Sequence, residues 1–216
     1  NFFVADEPEV PKWPSEPPRD PDAVRAIAET FVASDYEIKP VLRMLFSSDF
    51  FKEAAFRKVK NPAEVIVGAL KLTGDLRGPD PAWGFEVAAA PGSMGQDLLN
   101  PPSVEGWHTG REWVNSGALI NRVNFVADRV GNVGLPGVQA IVERLGSNGN
   151  TMTPEDLVDG CLEQMGPLSV EKPTLDELVA HANKGGPISS EDKADFGQRV
   201  GQILSLIAGT KEYQFG

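Results

Sequence analysis

Apolar positions recur along the chain mostly at three- and four-residue intervals, the spacing of one helix face. Val24, Ile27, Ala28 and Phe31 form the first stripe, behind Asp20-Pro21, an N-cap with proline at the first helical position. Ser34-Asp35 closes it. A second helix is predicted over 39–47, with Val41, Leu42, Leu45 and Phe46 inward. Ser48-Asp49 caps a third, carrying Phe50, Phe51 and Phe56. Asn61-Pro62 repeats the cap-plus-proline device before Ala63, Ile66, Val67 and Leu70, and Gly74 ends that stripe. Residues 75–115 lose the period: they hold Trp83, a turn at Pro91-Gly92, and one short helical stretch over 94–99. Helical spacing returns at Leu119, Val123, Val126 and Val130, then over 136–145, 154–165, 175–182 and 191–207. The last is the clearest, with Phe196, Val200, Ile203, Leu204 and Ile207 on one face. Thr153-Pro154-Glu155-Asp156 and Ser189-Ser190-Glu191-Asp192 read as similar helix starts. No alternating strand pattern of any length competes. The fold class predicted is all-α, an irregular multi-helix bundle with Gly/Pro-rich loops.

Ahead of the first helix the pattern is different. Pro8, Pro11, Pro14, Pro17, Pro18 and Pro21 exclude helix and ladder over 5–22, so an extended polyproline-like linker is expected, with Trp13 pinning it to the body. The chain opens Asn1-Phe2-Phe3-Val4, which reads as the tail of an apolar helix, and no basic segment followed by an apolar run marks a leader. Either a leader has been removed or this is the C-terminal piece of a longer protein; on the second reading Phe2, Phe3 and Trp13 are interaction residues.

Composition narrows the chemistry. Of 216 residues 41% are hydrophobic and 24% charged, so the chain can bury a core, while 22 Gly and 18 Pro promise short elements. Net charge is −11, carried as −6 and −5 in the two halves. An evenly acidic surface repels nucleic acid and anionic lipid, and the densest basic spot is only Arg57, Lys58 and Lys60. No nucleic-acid partner is expected, and no apolar run is long enough for a membrane span. One Cys and two His exclude an internal disulfide and a four-ligand zinc site. Cys161 falls in the apolar stripe of Leu157, Val158, Leu162 and Met165 and is expected to be a buried core thiol. His181 lies one step off the stripe of its helix. Neither a nucleotide loop nor a metalloprotease or nucleophile-elbow motif is present, and no cofactor or metal is predicted. The acid pairs Asp20/Asp22 and Asp75/Asp80 are in principle able to serve glycoside hydrolysis, but most such acids cap helices.

The segment richest in function-compatible side chains is 107–115. Trp107 and Trp113 bracket His108 and Arg111 in a glycine-hinged loop, with Glu112 and Asn115 beside them. Flat apolar faces next to hydrogen-bonding groups suit a sugar- or peptide-binding surface; the same residues also suit a buried tryptophan knot that locks the loop. Trp107, His108, Arg111, Trp113 and Asn115 are the candidate binding residues.

Asn100-Pro101-Pro102-Ser103-Val104-Glu105-Gly106-Trp107, then Gly110-Arg111-Glu112-Trp113-Val114-Asn115, Leu119 and Arg122-Val123-Asn124-Phe125, resembles the proline–proline–valine–glycine–tryptophan block of the bacterial domain of unknown function 1800 family. Val41-Leu42-Arg43-Met44-Leu45-Phe46-Ser47-Ser48-Asp49-Phe50-Phe51 and Val59-Lys60-Asn61-Pro62-Ala63-Glu64-Val65-Ile66-Val67 are similar to two upstream helices of that family. Glu212-Tyr213-Gln214-Phe215 is similar to its end. The resemblance implies a largely helical, exported bacterial protein typically about twice this length, and supplies no catalytic residues. It divides the chain into a helix end and Pro-rich linker (1–22), a helical family core with the Trp-rich loop (23–146) and a C-terminal helical segment (147–216), of which 147–210 departs from shorter members. Two functions follow as expectations. One is a non-catalytic binding or assembly module packing on the upstream part of the same protein or on another cell-surface protein. The other is part of a secreted hydrolase of an extracellular polymer, with His108, Arg111 and Glu112 lining a cleft.

Overall fold

The computed structural model describes residues 2–78, 80–107, 109–147, 151–166 and 168–215. Among them are ten α-helices and one two-stranded antiparallel pair, the all-α architecture the periodicity predicts. The chain forms two compact units, one of residues up to Val59 with Phe215 and one of Lys60–Gln214. Compactness therefore divides the chain at residue 59, inside the expected 23–146 segment.

In the first unit, α1 (Pro21–Ala33) starts as expected: the Asp20 carboxylate accepts from Ala23 N–H, and proline occupies the first turn. Such a cap stabilises by about 1 kcal/mol. α2 (Ile38–Ser47) packs on α1 and buries Val41 and Leu45, and α3 (Asp49–Lys52) follows behind the Ser48 cap. Phe46, expected inward, is exposed. The α1–α2 turn carries Asp35 and Tyr36 at φ 54° and 66°.

Residues 2–4 are not helical, and 5–22 is not simply extended. Val10–Lys12 makes a 3-10 turn, and the Trp13 indole N–H donates to Pro8 O at 2.9 Å. Arg19 closes the loop, its main-chain N–H on the Glu7 carboxylate at 2.6 Å and its guanidinium on Asp6 O at 2.8 Å. The prolines forbid regular ladders, and Arg19 supplies donors that the strap's own backbone lacks.

In the second unit, α4 (Pro62–Thr73) begins in a reciprocal capping box of Asn61 and Glu64 and ends on left-handed Gly74. Its buried face is Val65, Ile66, Ala69 and Leu70, with Val67 outside. α5 (Pro81–Ser93) replaces the expected loop and turn, starting on an Asp80 cap and resting Trp83, Val87 and Ala90 against Ile66, Leu70 and Met94. The helix expected over 94–99 is a pair of turns instead, opened by Gly95 at φ 94°.

α6 (Ser116–Val130), α7 (Pro136–Gly146), α8 (Pro154–Gln164), α9 (Lys172–Ala182) and α10 (Lys193–Ala208) complete the bundle. α10 runs through its middle in contact with α6, α7, α8 and α9, burying Phe196, Val200, Ile203, Leu204 and Ile207. Each fully buried aliphatic side chain contributes about 1.5–3 kcal/mol. The two similar helix starts are tied together: β1 (Thr151–Met152) pairs with β2 (Ile188–Ser189) just ahead of α8 and α10. α4 meets α7 so closely that a side chain on Gly137 would strike the Leu72 carbonyl and the Thr73 main chain. Cys161 is buried, its thiol pushed up to about 12 by burial, as its stripe position requires.

Candidate functional site

The tryptophan loop is built from both ends. Upstream, Asp97 and Asn100 close a turn, Asn100 N–H donating to Asp97 O and its side-chain amide to the Asp97 carboxylate at 2.8 Å. Downstream, Gly110–Val114 winds one 3-10 turn and hands over to α6 at Asn115. The side chains predicted to act together do not converge. Trp113 is buried beside Gly95, while Arg111 is exposed. Asn115 caps α6, accepting from Ala118 N–H and donating to Glu112 O. His108 lies outside the described residues.

Among the described candidates, Trp107 keeps a binding geometry. Its indole N–H donates to Asp97 O at 3.0 Å, and its half-exposed ring lines a cleft of about 500 Å³ with Gly92, Gly95, Asp97, Asn100, Pro101 and Pro102. Asp97 and Asn100 thus stand beside Trp107 in this cleft, and Arg111 does not line it. Asp97 falls in the stretch expected to be helical, so its contribution is missed from sequence. The readable signal is Asp-x-x-Asn beginning two residues after Gly95, the i, i+3 spacing of a β-turn.

A second missed residue is Arg122, 0% exposed on α6. Its Nε donates to the Gln214 side-chain oxygen at 3.0 Å and its Nη1 to Lys60 O at 2.7 Å. Gln214 is fixed in turn by its amide on Ala208 O, and Lys60 N–H pairs with Gln214 O. The Lys60 ammonium donates to Tyr213 O at 2.9 Å and sits 4.4 Å over the Tyr213 ring. Burial pulls the guanidinium down to about 10, against Glu64 and Tyr213, so it stays cationic at neutral pH. Burial likewise pushes the Tyr213 phenol up to about 12. Three of the segments that carry the family resemblance, around Lys60, Arg122 and Tyr213-Gln214, meet in this one lock.

In the first unit the interaction candidates separate. Phe2 (73% exposed) stacks edge-on against Phe3, Phe3 against Phe46, and Phe46 against Phe51, with centroids 4.7, 5.3 and 5.1 Å apart. Trp13 instead lines a cleft of about 660 Å³ with Val24, Ile27, Phe50, Arg19 and Arg57.

The acid pairs have structural work. Asp20 and Asp80 cap helices, Asp22 pairs with Arg25 at 3.1 Å, and buried Asp75 lies between Arg77 and Arg129 at 3.1 and 3.4 Å. His181 is half-buried, as its boundary position predicts. Among the described residues no group of three or more His, Cys, Asp or Glu could hold a metal ion, and no helix is long and apolar enough to cross a membrane.

The fold and its lock define an all-α protein whose larger unit is built around one central helix and carries a tryptophan cleft. The chain belongs to the family described as protein of unknown function, DUF1800, whose model matches residues 1–215. No curated protein and no solved structure matches it.

Proposed function

We propose that the chain is a non-catalytic binding or assembly module of an exported bacterial protein, docking through the aromatic face of its first unit on the upstream part of the same polypeptide or on another surface protein. The observation that carries this is the ladder of Phe2, Phe3 and Phe46, three large rings in edge-to-face contact and all substantially exposed. Water contact with that much clustered ring surface is unfavourable, and such clusters mark interaction sites. The hydrolase reading lacks comparable support: around Trp107 the described lining offers one carboxylate, Asp97, where glycoside hydrolysis takes two.

The test is a pull-down of this chain by the separately expressed upstream part of the polypeptide. The Phe2→Ser/Phe3→Ser/Phe46→Ser variant is expected to weaken capture at least tenfold while keeping the helical circular dichroism of the wild type. Equal capture of both chains, or release of reducing sugar from a polysaccharide by the pure chain, would sink the proposal.

A further inference from the structure

The cleft at Trp107 has a chemistry of its own, separate from the aromatic face of the first unit. The indole's only hydrogen-bonding group is spent on Asp97 O at 3.0 Å, so the ring is held by its edge and offers a ligand its face alone. Pro101 and Pro102 add rigid apolar surface to the lining, and Gly92 and Gly95 contribute no side chains to it. Gly95 holds φ 94°, a conformation that keeps larger residues out.

Beside the indole edge stands one hydrogen-bonded polar pair. Asn100 donates to one Asp97 oxygen at 2.8 Å, which fixes the carboxylate and leaves its other oxygen and the Asn100 carbonyl as acceptors. Both residues are exposed, so the pair is reachable from solvent. A matching ligand is flat and apolar on one face and carries neighbouring hydroxyl donors at its edge. A pyranose ring has this form: axial C–H groups for the indole, vicinal hydroxyls for the carboxylate. Anionic ligands are disfavoured by Asp97 and by the net charge of −11. A cleft of about 500 Å³ lies within the size range of small-molecule sites.

We propose that this cleft is a carbohydrate-binding site that stacks one pyranose ring of a neutral glycan on Trp107 and holds its adjacent hydroxyls on Asp97 and Asn100. It adds a ligand to the binding role proposed above without depending on the aromatic face.

The experiment titrates the whole chain with neutral oligosaccharides of the cello-, chito-, malto-, xylo- and laminari-series, followed by calorimetry and tryptophan fluorescence. Tetramethylammonium is included as a cationic probe. Saturable binding of at least one glycan is expected, weakened about tenfold or more in Trp107→Ala and in Asp97→Asn. If Trp107→Ala melts early, Asp97→Asn and Asn100→Ala, both at the exposed rim, carry the comparison. Failure of every glycan series, glycan binding indifferent to these substitutions, or binding of tetramethylammonium alone overturns the assignment. No protein partner enters the titration, so its failure is distinct from a failed pull-down.

Discussion

Replacing Arg122 with methionine tests whether the buried lock holds the larger unit together. The substitution keeps an unbranched side chain of similar reach and deletes two hydrogen bonds, to the Gln214 side-chain oxygen and to Lys60 O. Both acceptors are then left without their donor. The Gln214 amide cannot turn over to compensate without releasing Ala208 O. Each orphaned acceptor costs about 1–3 kcal/mol, while loss of the desolvated cation returns part of that. A net loss of about 3 kcal/mol is expected, lowering the melting temperature by about 6–12 °C for a chain of this size. Urea denaturation of wild type, Arg122→Met, Gln214→Leu and the double variant measures both loss and coupling. Because Gln214→Leu removes one orphan, the double variant should be more stable than the summed single losses predict by about 1 kcal/mol. A loss below about 1 kcal/mol in Arg122→Met, or strict additivity, would refute the reasoning.

Three other substitutions probe separate features. Gly137→Ala forces a methyl group into the Leu72–Thr73 main chain and should cost about 1–3 kcal/mol in urea denaturation; a neutral result would mean α4 and α7 separate freely. Leu99 holds φ 65° while 96% exposed, so Leu99→Gly should stabilise by roughly 1 kcal/mol, and a lowered melting temperature would contradict the strain. Glu212 is pushed up by burial, but N–H donors of Glu171 and Glu212, the Thr174 hydroxyl and Lys211 outweigh this and leave it below the ordinary glutamate range. A depressed folded value adds stability above the unfolded pKa of about 4.3, lost as pH falls through the folded value. Wild type should therefore lose more stability than Glu212→Gln between neutral pH and pH values below that range; parallel acid titrations would count against it.

What could be read from the sequence depended on whether the signal was local. Asp20-Pro21, Asn61-Pro62 and Thr153-Pro154 start helices because cap and proline act within one turn, and α10 is legible because its apolar face repeats through sixteen residues. Asp80-Pro81 carries the same start signal, yet Gly84, Pro91 and the run Ala88-Ala89-Ala90 erase the periodicity behind it, so α5 reads as loop. Arg122 is hidden for the opposite reason. It occupies the register of Ala118, Val126 and Val130, whereas the predicted stripe starts one residue on at Leu119 and Val123, so the charge falls beside the expected face. Its acceptors are 62 and 92 residues away, beyond the reach of any local pattern. At the candidate site, Trp107 was legible as an aromatic face, while its polar companions were misplaced because the Gly95 turn reverses the chain and brings Asp97 and Asn100 beside it.

The lock also sets an order of events during synthesis. Lys60 and Tyr213 meet across 153 residues, and Arg122 acquires an acceptor in Gln214 only after all of α4 to α10 has been made. Until then a growing chain carries a permanently charged guanidinium inside an otherwise apolar stripe, which opposes early collapse of α6 onto its neighbours. Only once the Tyr213-Gln214 turn has left the ribosome can that charge meet its last acceptor, so the lock of the larger unit is completed late.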